Sequence, residues 1–169
     1  LLPGTNGGDT EGWSAILDIS ELSEAYARTG RPLTARDVIE FVALDRDNPS
    51  SVWNCLRAAR ENAHAVRGTL TAEMWETTNA TWLEIREVTP QKLRATDLGE
   101  FFEWVKFRSH LLRGVTFGTM LHDEAFKFVR LGTFLERADN TARLLDVKYH
   151  SLLPKAEGLT SSTDFYQWG

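Results

Sequence analysis

The sequence predicts an all-α fold, a helical bundle of about six helices with one long C-terminal motif helix. Apolar residues recur at the 3.6-residue spacing that builds one helix face, segment after segment. Nowhere do β-branched residues alternate over a stretch bounded by hairpin turns. Helix-starting Thr, Asp and Asn and helix-stopping Gly and Pro punctuate the chain at short intervals, so that successive helices pack as neighbours.

The elements follow in order. Leu1 to Asp9 is turn-rich and reads as a loop. A helix from Glu11 to about Thr29 turns Trp13, Ile16, Leu17, Ile19 and Leu22 to the core, and Gly30-Arg31-Pro32 stops it. Thr34 with Asp37 resembles a capping box and opens a helix over Ala35 to Leu44. Asn48-Pro49 reads as a cap followed by proline at the first helical position, starting a helix to Arg67 that buries Val52, Leu56, Ala59, Ala63 and Val66. Thr71 caps the next helix, to about Glu87, with Met74, Thr78, Trp82 and Ile85 along one side. The polar residues after Thr89-Pro90 form the longest internal connection. Asp97 and Glu100 have capping-box spacing and start a helix reaching about Met120, where Gly114 and Gly118 invite close packing of another backbone. The last helix, Asp123 to Pro154, has a single glycine, Gly132. It carries a broad apolar face of Phe128, Leu131, Phe134, Leu135, Ala138, Ala142, Leu145 and Tyr149.

Composition narrows the function. A chain of 169 residues with 42% hydrophobic and 25% charged residues is read as one folded domain, residues 1–169. A net charge of −5 disfavours nucleic acid and anionic membranes as general partners. No apolar run reaches the length of a membrane span. Cys55 is alone, which excludes an intrachain disulfide, suits a reducing cytoplasm, and reads as a small core residue. The six tryptophans fall mostly at core spacings.

The polar side of the last helix is the first candidate site. Glu136, Asp139 and Arg143 cluster on the helical wheel, with Arg137, Asn140 and Asp146 beside them. Asp139 and Arg143 are spaced for an intrahelical pair, acid before base. The face is either solvated, or covered as a buried or cleft-lining network, and both readings stay open. Glu136 is expected to pair with an arginine of its own helix or with Arg57 or Arg60. A second polar group, Asn54, Arg57, Arg60, Glu61 and His64, lies on the Pro49 helix. Glu61 and His64 have the Glu-x-x-His form of di-iron bundles, but no second copy exists, and the four histidines lack zinc-like pairing. No metal or cofactor is therefore expected. Neither a nucleophile elbow nor a phosphate loop occurs.

At Phe128–His150 the chain resembles the alpha-E family, bacterial helical domains named for a Glu-Arg motif. That motif is Glu136-Arg137 here, set in Leu-Gly-x-x-Leu-Glu-Arg-Ala-Asp. The resemblance extends through Gly114–Met120, Asn48–Ser51 and Ala59–Asn62. Members are of undefined biochemical function and are found fused to, or encoded beside, circularly permuted ATP-grasp proteins and transglutaminase-like proteins. The resemblance implies a non-catalytic scaffold or partner-binding module accessory to an ATP-grasp peptide- or amide-ligase system. The alternatives are an enzyme using Glu136 as acid or base with Arg137 or Arg143 on a substrate carboxylate, and a small-ligand receptor. Set against the family pattern, the chain looks like an internal fragment, incomplete at both ends. A weak echo between Leu1-Leu2-Pro3…Trp13 and Leu152-Leu153-Pro154…Trp168 fits that reading. A missing wall would leave apolar surface uncovered, so a homodimer is expected.

Overall fold

The computed structural model describes residues 10–152, with side chains over 12–146. Among these residues the fold is all-α, with eight α-helices, one 3₁₀ turn and no strand. The helices are α1 (Thr10–Ile19), α2 (Ser23–Ala27), α3 (Ala35–Leu44), α4 (Val52–Ala65), α5 (Ala72–Arg86), α6 (Pro90–Ala95), α7 (Leu98–Thr119) and α8 (Glu124–Leu152). The count exceeds six for two reasons. The first helix breaks at Ser20–Leu22, where Glu21 takes a left-handed φ of 54°. The break lets both Leu22 and Tyr26 enter the core. The connection after Thr89 also folds into α6, because Thr89 accepts a hydrogen bond from the Lys92 amide and Pro90 fits the first turn. The echo at the two chain ends lies largely outside the described residues.

Caps explain the other boundaries. Thr34 Oγ1 accepts from the Asp37 amide at 3.2 Å and Thr71 Oγ1 from Met74 at 3.2 Å. Asp97 caps α7 through the Gly99 amide at 2.8 Å, not through the reciprocal box expected with Glu100. Helix α4 starts three residues later than Pro49, with Ser51 as its cap. Asn48 has another task. Its Oδ1 accepts from Ser50 N at 3.0 Å and its Nδ2 donates to Phe41 O at 3.1 Å.

The main core gathers Trp13, Leu17, Leu22 and Tyr26 against the α3 face, with Ile85, Leu93 and Phe101 arriving from α5, α6 and α7. Tyr26 meets Phe41 edge-on at 5.1 Å and donates to Pro32 O at 2.8 Å. Burial pushes its phenol pKa up, with Asp37 adding to the effect and Arg31 opposing it. A smaller core of Met74, Met120 and Phe126 closes the corner between α5, α7 and the start of α8.

Two packing expectations fail, and one apolar face stays uncovered. A Cβ on Gly114 or Gly118 would meet nothing within 4 Å, so no backbone approaches there. Of the α4 stripe, Val66 is exposed. The apolar face of α8 is not buried: Phe128, Leu131, Leu135 and Leu145 are 71%, 51%, 63% and 50% exposed. The 3.6-residue period identifies a face but not what lies against it, and here the polar face of α8 turns toward the body. Tyr149 lies outside the described side chains.

Candidate functional site

The polar face of α8 and the body enclose a cleft of about 700 Å³. One wall is Glu136, Asp139, Asn140, Arg143 and Leu144. The other comprises the end of α1 with Ser20 and Leu22, Val42 of α3, and Pro49, Ser50, Val52 and Cys55 at the start of α4. Of the two readings of the polar face, the cleft-lining one describes its geometry, although the acidic side chains themselves are exposed.

Arg143 ties the walls together. Its Nε donates to Asp139 Oδ2 at 2.8 Å, the intrahelical pair that the spacing predicts. Its Nη1 lies 2.6 Å from Glu21 Oε2 on the opposite wall. The hydrogen bond to Asp139 and then the Glu21 carboxylate push the guanidinium pKa further up. The left-handed backbone at Glu21 thus sits where α8 meets the body. Non-glycine residues adopt that conformation at a cost of about 1 kcal/mol.

The loop wall is fixed from behind. Asn54, buried in the first turn of α4, donates through Nδ2 to the carbonyls of Asp45, Arg46 and Asn48 at 3.2, 2.9 and 2.8 Å. Asn48 and Ser51 are also buried. This network satisfies loop carbonyls that the turn would otherwise strand away from water. It holds Pro49 and Ser50 at the cleft rim.

The expected partners of Glu136 are engaged elsewhere. Among the described residues Glu136 forms no ion pair. Arg57 lies 4.0 Å from Glu61 on its own helix, and Arg60 Nε donates to Asn79 Oδ1 at 3.3 Å. Both lie outside the cleft lining, Arg57 exposed and Arg60 half-buried against α5. Arg137 is exposed beside the cleft and is not part of its lining. Glu136, Asp139, Asn140 and Arg143 are therefore brought together, while Arg57, Arg60 and Glu61 form a separate surface.

The site also includes a residue that sequence reasoning assigned to the core. Cys55 is exposed at the cleft, not buried in the core. The cleft walls partly desolvate its thiol and push its pKa up, and the Glu136 carboxylate adds to the rise. A thiol tuned this way holds its proton and is a poor nucleophile at neutral pH. Among the described residues no group of three or more His, Cys, Asp and Glu is placed to hold a metal ion. Nor is any helix among them long and apolar enough to cross a membrane.

No curated protein and no solved structure matches the chain. A family model, Alpha-E, described as a predicted alpha-helical domain with a conserved ER motif, matches residues 2–169. With nearly the whole sequence covered and an all-α structure in agreement, the chain belongs to the Alpha-E family.

Proposed function

We propose that the protein is a non-catalytic, partner-binding helical module, accessory in the cytoplasm to a peptide- or amide-ligase system of the ATP-grasp kind. The observation that supports this reading is the uncovered stripe of α8. Phe128, Leu131, Leu135, Ala138, Ala142 and Leu145 repeat at alternating steps of three and four. That is the seam of a helix made to pack on another helix. A contiguous apolar strip of this kind marks a protein-contact surface. The body presents α8 with its polar side held by Arg143, leaving the apolar side outward. The partner is an ATP-grasp or transglutaminase-like protein, and a second copy of the chain occupies the stripe when that partner is absent.

The enzyme and receptor alternatives require Arg143 to clamp a ligand carboxylate. Its guanidinium is already engaged by Asp139 and Glu21, so a ligand would have to displace one of them. The raised thiol pKa of Cys55 likewise argues against a nucleophile in the cleft.

The test is co-purification from the native organism, using the full-length protein and its Leu131→Lys, Leu135→Lys variant. The proposal expects an ATP-grasp or transglutaminase-like protein with the wild type and its loss with the variant. Equal recovery with both would remove α8 from the interface. Amide-forming turnover by the protein alone, abolished in Glu136→Gln, would establish the enzyme reading instead.

A further inference from the structure

On the opposite side of α4 from the cleft, the sequence places two matching series. Trp53, Arg57, Arg60 and His64 follow one another on α4 at steps of four, three and four. On α5, Trp75, Asn79, Trp82 and Arg86 do the same. Each series is therefore one helix stripe. The structure joins them across the antiparallel α4–α5 pair. Trp53 meets Trp82 edge-on at 5.0 Å, His64 approaches Trp75 at 5.7 Å, and Arg60 reaches Asn79 between them. The two stripes form one surface about 17 Å long, at 1.5 Å rise per residue.

Guanidinium groups lie over the indoles along this surface. Arg46 and Arg57 sit 4.8 and 5.7 Å from the Trp53 ring centre. Arg60 and Arg67 lie 5.6 and 4.6 Å from that of Trp75, and Arg86 lies 6.0 Å from that of Trp82. Only Arg57 has a carboxylate partner, Glu61 at 4.0 Å. Among the described residues Arg46, Arg60, Arg67 and Arg86 have none. In a chain of net charge −5, four arginines that form no ion pair among the described residues, on one half-buried tryptophan ladder, are a concentrated exception. An indole beneath a guanidinium restricts its motion while leaving its in-plane N–H donors available for bidentate bonds to an anion. The side-chain entropy that an exposed arginine loses on binding is thus partly lost in advance.

We propose that the α4–α5 tryptophan–arginine ladder is a docking surface for an acidic polypeptide segment, one presenting three or more carboxylates along one side. Charge complementarity selects acidic partners. The short surface and the chain's net negative charge favour a short carboxylate-bearing segment over a nucleic acid, whose extended phosphate chain the rest of the molecule would repel. This surface is separate from the α8 stripe, and variants on it leave α8 intact.

The experiment is fluorescence anisotropy of a fluorescein-labelled octaglutamate peptide titrated with the protein at about 50 mM salt. Saturable binding is expected, weakened about tenfold in Arg60→Ala, Arg86→Ala and tightened about twofold in Glu61→Gln, which releases Arg57. Arg60→Lys, Arg86→Lys should recover only part of the affinity, because lysine keeps the charge but not the planar fork. Should the alanine variant lose its helical circular dichroism, the exposed Glu61→Gln change carries the test. No saturation by about 1 mM protein, or equal affinity in wild type, Glu61→Gln and the alanine variant, would overturn the proposal. So would tighter binding of an oligothymidylate of equal charge.

Discussion

Cys55 and Glu136 belong to different helices and meet only across the cleft, so their chemistry tests the closed arrangement at the scale of single atoms. Partial burial and the Glu136 carboxylate both raise the thiol pKa. The thiolate fraction near pH 8.5 is therefore smaller than for a free cysteine. Iodoacetamide alkylation of Cys55 should be slow there and should reach its half-maximal rate at a higher pH than glutathione does. Glu136→Gln removes one of the two causes, so its profile should shift back toward lower pH. Superimposable profiles for wild type and variant would mean that α8 does not close on α4 in solution. The lone cysteine itself was legible in the sequence, but its place was not. Residue type gives an average burial, whereas Cys55 lies on the edge of the α4 stripe facing α8.

Among the elements, those set by neighbours within four residues were the most legible. The starts of α3 and α5 follow from Thr34 and Thr71, each capping an amide three positions on. The break at Glu21 carries no glycine to announce it, and burial of Leu22 and Tyr26 imposes it from a distance. Trp53 and Trp82 pack half-buried against the main core, as their spacing predicts, whereas Trp75 lies outside it. At α4 the same contest of local and distant forces yields a measurable expectation. Asn54 supplies one amide group to three loop carbonyls. Asn54→Ala strands these acceptors and should destabilise the fold by about 2–3 kcal/mol. Urea denaturation followed by circular dichroism measures the loss. A change below about 0.5 kcal/mol would mean that water replaces the amide without difficulty.

For the molecule as a whole, the proposed pairing of copies through the exposed α8 stripe has a preferred direction. Phe128, Leu131 and Leu135 precede Ala138 and Ala142, and Leu145 closes the stripe. In an antiparallel pair Leu131 falls opposite Ala142, and Leu135 opposite Ala138, so large faces small near the two-fold axis, while Phe128 meets Leu145 further out. A parallel pair would set Ala138 and Ala142 against themselves and leave a gap. Covering about 600 Å² of apolar surface contributes about 15 kcal/mol before the costs of association. Sedimentation at tens of micromolar, in order of magnitude, should therefore give a dimer, and Leu131→Lys, Leu135→Lys a monomer. A wild-type monomer would leave the stripe to other partners. The mounting of α8 has a mechanical consequence as well. The helix is clamped at one end by Phe126 in the small apolar core and tied near the other by the Arg143–Glu21 ion pair. About 25 Å of helix separates the two points, at 1.5 Å per residue. It is a cantilever with a salt-soluble tether, in which a tilt of about 5° at the clamp swings the far end by about 2 Å. Ions screen the tether and leave the clamp untouched, so alkylation of Cys55 should quicken with ionic strength while the helical circular dichroism stays unchanged.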